Sequence, residues 1–228
     1  MPDFVIAPPP QVAVPVAGGG LFPVRRIYCV GRNYAEHARE MGHDPGAEPP
    51  FFFSKPADAL VTGGAAAPYP SQTANLHHEI ELVAAIGTGG TDIPVETAMD
   101  HVWGYAVGID LTRRDLQAWA KKGAKPWEIA KSFDHSAPIG TLVRARDIPL
   151  PLRGTIMLKV NGEVRQSADL SDMIWDLAHV IAQLSTYFTL VPGDLVFTGT
   201  PAGVGAIVRG DLLEGSIAGI GTVATRIA

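Results

Sequence analysis

The chain has 228 residues, 46% of them apolar and 18% charged, with a formal net charge of -5. That length buries one large core or two small ones, and the composition excludes a disordered chain. The acidic balance excludes an electrostatic case for nucleic acid or an anionic membrane, and nowhere do 18 apolar residues run together, so a soluble cytoplasmic protein with a small-molecule partner is expected.

Residues 1–17 lack the basic and apolar regions of an export signal, so no export is expected. Pro8 to Pro10 and Gly18 to Gly20 predict an extended N-terminal arm over residues 1–24, lying on a single domain formed by 25–228. Arg26 to Gly31 reads as a short strand. Its Cys29, the chain's single cysteine, cannot form an internal disulfide and has apolar neighbours, which predicts a buried, inert thiol. Asn33 to Met41 has helical composition ending at Gly42. Residues 43–50, rich in proline and glycine, read as a loop, and a lid over residues 38–50 is one use of such a stretch.

The most informative stretch follows, Leu76 His77 His78 Glu79 Ile80 Glu81 Leu82 Val83. In an extended chain Glu79 and Glu81 point to one face while Ile80 and Leu82 point into a core. Trp103 to Ile109 reads as another strand that delivers Asp110 at its end. Three carboxylates converging make a cation site, and an all-oxygen set suits Mg²⁺ or Mn²⁺ better than zinc. A solvent-facing strand edge shows the same Glu-x-Glu alternation, so this pattern alone leaves both readings open.

Thr112 and Asp115 resemble a capping box for a helix running to Lys122 and closed by Gly123. Thr155 to Val160 and Glu163 to Gln166, joined by Asn161-Gly162, predict a hairpin with a type I′ turn. From a Ser171 cap, Met173, Ile174, Leu177, Ile181 and Leu184 recur at three- and four-residue steps and predict a packing helix. Pro192 to Asp194 then turns into Leu195 to Phe197. Thr198 Gly199 Thr200 Pro201 with Gly203 and Gly205 forms a loop rich in backbone donors, and Asp211 to Ile227 reads as short strands. The expected fold class is mainly β with peripheral helices, an antiparallel or mixed core without regular βαβ alternation.

No Gly-x-Ser-x-Gly elbow, His-Glu-x-x-His, phosphate-loop or dinucleotide spacing occurs. A base does exist at His37, with Glu40 three residues on and on the same helix face, although a surface pair has the same spacing. Beside a metal, Glu40 would hold the imidazole tautomer while the other ring nitrogen takes a proton from water.

In order along the chain, Cys29 to Tyr34 with His37, Phe51 to Pro56, Leu76 to Leu82, Gly108 to Arg114, Pro126 to Phe133 and Thr198 to Gly205 resemble the fumarylacetoacetate hydrolase family. The likeness is greatest to its short members, the acylpyruvate and fumarylpyruvate hydrolases, a group that also includes oxaloacetate decarboxylases. The resemblance implies a rolled mixed β-sandwich and usually a homodimer. It implies Mg²⁺ or Mn²⁺ on Glu79, Glu81 and Asp110, a dyad of His37 with Glu40, and a catalytic Lys131. Longer members carry an additional metal-binding aspartate before the dyad histidine and a separate N-terminal domain. Cys29 to Arg32 holds no carboxylate, and about twenty residues before the first motif are too few for that domain.

The expected reaction is cleavage of the carbon–carbon bond of a 2,4-dioxo acid, above all fumarylpyruvate to fumarate and pyruvate in aromatic degradation. Oxaloacetate decarboxylation or hydroxydienoate isomerisation on the same metal is the alternative, and a non-catalytic dicarboxylate binder is a third. Lys131 would hold an oxyanion or orient water, Gln117 would bond the chelating end, and amides at Gly199 and Thr200 would cradle a carboxylate. Arg32, Lys55 and Arg114 would suit a dicarboxylate.

Overall fold

The computed structural model describes residues 4–40, 49–150 and 152–228. The strands in chain order are β1 (Ala13–Pro15), β2 (Leu21–Pro23), β3 (Arg26–Gly31), β4 (Phe51–Lys55), β5 (Leu60–Val61), β6 (Leu76–His78), β7 (Ile80–Ile86), β8 (Val102–Ile109) and β9 (Thr112–Arg113). They continue with β10 (Ala137–Pro138), β11 (Val143–Arg144), β12 (Thr155–Val160), β13 (Glu163–Asp169), β14 (Asp194–Phe197), β15 (Gly205–Ile207), β16 (Leu212–Ile217) and β17 (Gly221–Arg226). Among the described residues four α-helices accompany them: α1 (Ala35–Glu40), α2 (Arg114–Lys122), α3 (Glu128–Lys131) and α4 (Leu177–Tyr187).

A six-stranded mixed sheet of order β11-β8-β7-β14-β3-β4 forms the centre, with β14 and β3 its parallel pair. An antiparallel four-stranded sheet, β13-β12-β16-β17, covers one face, and β15-β6-β9 lies at the end where β6 leads into β7. The alternation along β7 explains the layering. Ile80, Leu82, Ala84 and Ile86 pack with Ile156, Leu158, Leu213 and Val223 in one core, while Val83 and Ala85 pack with Cys29, Ala106 and Phe197 in a second. Glu79 and Glu81 share the parity of Val83, so they lie on a face that is buried rather than wet. The solvent-edge reading of Glu-x-Glu is thereby excluded: β7 is fully buried between β8 and β14.

Several local expectations hold. β3 spans Arg26 to Gly31, β8 ends one residue before Asp110, and Cys29 is buried. Asn161 and Gly162 have φ of 53° and 82°, the left-handed pair of a type I′ turn. The N-terminal arm is more structured than expected. β1 and β2 form a hairpin that inserts Val14 and Phe22 into the second core.

Two capping assignments are corrected. Thr112 lies in β9, and Asp115 accepts instead from the Thr73 hydroxyl and the Ala74 and Leu116 amides, so no capping box opens α2. Gly123 does close α2, but the left-handed residue is Ala124, with φ of 48°. Ser171 does not cap α4. Asn33 takes the Ile174 amide on its backbone carbonyl and the Trp175 amide on its side chain, each at 2.8 Å, so those N–H groups cannot enter an i→i−4 ladder. The helix starts later, where Asp176 accepts from the His179 N–H at 3.0 Å. The proposed helix end at Met41 and Gly42, and the loop and lid readings, fall largely on residues 41–48, outside the described residues.

Because Asp176 and not Ser171 caps α4, Asp176→Ala should cost about 1 kcal/mol. Ser171→Ala, on an exposed 3-10 turn, should stay within about 0.5 kcal/mol. Urea midpoints at unchanged slope compare the two.

Candidate active site

The three carboxylates converge where two strands end. Ile80 pairs with Ile109 and Glu81 with Gly108 across β7 and β8, and the ladder continues as the Asp110 amide donates to the Glu79 carbonyl at 2.8 Å. Glu79, Glu81 and Asp110 are all buried, and one oxygen from each lies within 4.8 Å of the others.

Uncompensated carboxylates packed this closely would not stay ionised, so their counterions define the site. Lys131, at the end of α3 and 2% exposed, donates to Glu79 Oε2 at 2.7 Å, Asp110 Oδ2 at 2.6 Å and the Thr112 hydroxyl at 2.6 Å. Burial works against its ammonium, but Asp110 and Glu79 outweigh that and raise its pKa. Arg114 donates through Nη2 to Glu79 Oε1 and through Nη1 to Gln117 Oε1 at 2.6 Å. Burial opposes Glu79 ionisation too, yet Lys131 and Arg114 hold its carboxyl below the usual range. Glu81 behaves oppositely. Burial, then the charges of Asp110 and Glu79, push its carboxyl well up, because its polar partner is the Gly199 amide at 2.8 Å and no ion pair reaches it among the described residues.

The donor set fits a hard divalent cation. It is all oxygen, it is shielded from bulk water, Glu81 makes no ion pair among the described residues, and Asp110 Oδ1 is a buried acceptor without a hydrogen bond. Lys55 Nζ lies 2.8 Å from that atom as an ion contact, but its hydrogens are directed at Leu111 O, Lys131 O and Ser136 Oγ.

Two role assignments change on these contacts. Lys55 is buried on the protein side of Asp110 with its donors taken, so it braces the cluster instead of meeting a substrate carboxylate. Lys131 spends its three N–H groups on Glu79, Asp110 and Thr112, leaving none for an oxyanion. The Gly199 amide is likewise committed to Glu81.

A cavity of about 30 Å³ brings together His37, Glu79, Glu81, Arg114, Gln117, Lys131, Thr200 and Arg32. His37 is 5% exposed, and its Nδ1 meets Glu40 Oε2 at 3.1 Å. Since a carboxylate only accepts, Nδ1 carries the proton and Nε2 keeps a lone pair. Burial lowers the His37 pKa, against the opposing pull of Glu79 and Glu40. Phe51, Phe53 and Trp127 supply apolar wall.

Three contributors escaped the sequence reading. Lys121 lines the cavity, its pKa pushed down to about 8 by burial and by Arg32 and Arg114. The spacing of Arg114, Gln117 and Lys121 along α2 was a usable signal, since positions i, i+3 and i+7 share a helix face. Thr112 gave no signal beyond proximity to Asp110. Gln166, far away in sequence and buried against His78 and Thr200, gave none.

The fumarylacetoacetate (FAA) hydrolase C-terminal family model matches residues 26–228. The fumarylpyruvate hydrolase of Pseudomonas aeruginosa, crystallised in complex with Mn²⁺ and pyruvate, is 55% identical, with a TM-score of 0.96 and 99% of each chain covered. The mitochondrial oxaloacetate tautomerase of Rattus norvegicus is 43% identical over 196 residues, 86% of this chain and 88% of that protein. A fumarylpyruvate hydrolase from Ralstonia sp. is 40% identical over 184 residues, covering 81% and 95%. The matched region runs from β3 to the last residue and takes in every side chain of the carboxylate cluster, and the chain belongs to the fumarylacetoacetate hydrolase family.

Proposed function

We propose that the protein is a metal-dependent carbon–carbon bond hydrolase acting on a 2,4-dioxo acid, fumarylpyruvate foremost, and releasing fumarate and pyruvate. The observation that carries this reading is the convergence of Glu79, Glu81 and Asp110, two of which, Glu79 and Glu81, line the cavity that also holds His37. The Mn²⁺ and pyruvate bound by the Pseudomonas aeruginosa relative support both the metal and the product.

Glu79, Glu81 and Asp110 would hold a Mg²⁺ or Mn²⁺, which would supply Lewis acidity for the enolate charge that develops as the C3–C4 bond breaks. The chain's own groups do the rest. His37, its tautomer fixed by Glu40, takes a proton from water through Nε2 as the oxygen adds to the C4 carbonyl. Collapse of that adduct breaks C3–C4, leaving fumarate and the pyruvate enolate, and a proton delivered to C3 completes pyruvate. Lys131 and Arg114 keep Glu79 ionised, and Lys131 and Lys55 hold Asp110 in place. Gln117, held by Arg114, faces the 2-oxo acid end, while Arg32 and Lys121 give the cavity positive charge suited to the distal carboxylate of fumarylpyruvate.

The second reading, oxaloacetate tautomerisation or decarboxylation on the same site, is favoured by the 43% identity to the rat enzyme. It needs no water nucleophile and therefore depends less on His37. The setting we propose is a cytoplasmic homodimer in aromatic catabolism. A second copy is supported by the edge strand β4, whose Phe51, Phe52 and Phe53 lie along a groove of about 1020 Å³.

With Mn²⁺, fumarylpyruvate turnover should exceed that of oxaloacetate and vanish with chelator; the reverse ranking favours the second reading. Replacing His37 by Ala should lower fumarylpyruvate kcat by roughly 10²–10⁴-fold while sparing calorimetric Mn²⁺ binding, and unchanged turnover would sink the mechanism. For pH dependence, neutral His37 is the working form and its pKa is lowered from 6.5. Activity should therefore rise with pH through a midpoint below 6.5; a rise centred above 7 contradicts the assignment.

A further inference from the structure

Thr200, on the loop after β14, lines the cavity, yet the side chain that dictates its hydroxyl comes from β13 of the four-stranded sheet. Gln166 on β13 is fully buried between exposed Arg165 and Ser167. Its Oε1 accepts from the Ile80 amide at 3.1 Å and faces His78 Nδ1 at 3.0 Å. Its Nε2 donates to the Pro201 carbonyl and to Thr200 Oγ1, each at 2.8 Å.

Two of these partners admit one role each. A backbone N–H only donates and a carbonyl only accepts, so reversing the amide would set donor against donor at Ile80 and acceptor against acceptor at Pro201. The other two roles follow. His78 carries its proton on Nδ1, and Thr200 Oγ1 receives the Gln166 N–H, which turns the Thr200 hydrogen away from Gln166. Thr200 Oγ1 has no other hydrogen bond among the described residues, so that hydrogen is available to the cavity.

We propose that Gln166 is a positioning residue that makes the Thr200 hydroxyl an obligatory donor toward an acceptor oxygen of the ligand, a carboxylate or an oxyanion. The inference rests on reading the cavity as the site of a 2-oxo acid. Gln166 acts at both walls at once, because the Ile80 amide it holds belongs to the peptide that follows Glu79. The backbone is built to deliver it. Pairing along β12 and β13 slips at Leu158 and Lys159, which oppose Gln166 and Val164, leaving Arg165 as the extra residue of a bulge. The Arg165 carbonyl abuts Gly203, where φ is 93° and a Cβ would lie 2.2 Å away, so the hairpin and the Thr200 loop meet backbone to backbone.

A double-mutant cycle on the Mn²⁺-loaded protein tests this, reading the calorimetric Kd of oxalate together with KM and kcat for fumarylpyruvate. Gln166→Met should weaken oxalate binding and raise KM by about tenfold, the loss of one hydrogen bond to a charged group, with kcat changed less than about twofold. In a Thr200→Val background the same change should cost less than about twofold. Equal costs in both backgrounds, or a fall in kcat with KM unmoved, would reduce Gln166 to a tie between sheets and overturn the proposal. Absent turnover of every 2-oxo acid with coupling intact in the oxalate Kd would defeat the proposed function and leave Gln166's role standing. If Gln166→Met does not fold, the ¹⁵N spectrum of wild-type His78 in the metal-free protein decides: a protonated Nδ1 sustains the amide assignment, and an unprotonated Nδ1 overturns it.

Discussion

Everything at this site depends on how three carboxylates stay in an interior that penalises charge. Lys131 answers most of the cost, bridging Glu79 and Asp110 from within hydrogen-bond distance while Lys55 and Arg114 complete the cationic side. Breaking such a buried pair by removing one partner typically costs about 3–5 kcal/mol, because the other charge is stranded. The site's polar order is therefore also a structural commitment, and the cluster holds α2 and α3 to the end of the central sheet.

The balance is uneven in a useful way. Glu79 is locked into its ionised form by two cations, whereas Glu81 has a backbone amide and, among the described residues, no ion pair. One carboxylate is preorganised and another is left short of positive charge, which is what distinguishes a receptive cation site from a closed salt-bridge network. The two sheets divide the labour. The central sheet presents the carboxylates at strand ends, and the four-stranded sheet reaches over with Gln166 to hold the facing loop.

The relatives show how little of this frame specifies one reaction. A tautomerase at 43% identity and a hydrolase at 40% both cover most of the chain. A cation site that stabilises an enolate serves any chemistry passing through one, and the outcome turns on whether a base can present water to the neighbouring carbonyl. His37 on α1 and Lys121 on α2 stand on the cavity wall outside the carboxylate set and its ion pairs, so selection can change there without removing a salt bridge of the buried cluster.

By itself the sequence determined the strands that matter. Periodicity placed Glu79 and Glu81 on one face, put Asp110 at the end of β8 and set the Asn161-Gly162 turn, because side-chain alternation and turn stereochemistry are local. It also matched six motifs in order to the family to which the chain belongs. Tertiary structure decided what those residues touch. Whether the Glu-x-Glu face was wet or buried depended on β14 pairing with β7, more than 100 residues away in the chain. Lys131 was expected to hold an oxyanion or orient water and Lys55 to meet a substrate carboxylate until packing assigned their donors, and α4 began late because Asn33 claims two amides 141 and 142 residues ahead. Long-range hydrogen bonds of that kind leave no period in a sequence, which is why Gln166 emerged only once the chain was folded.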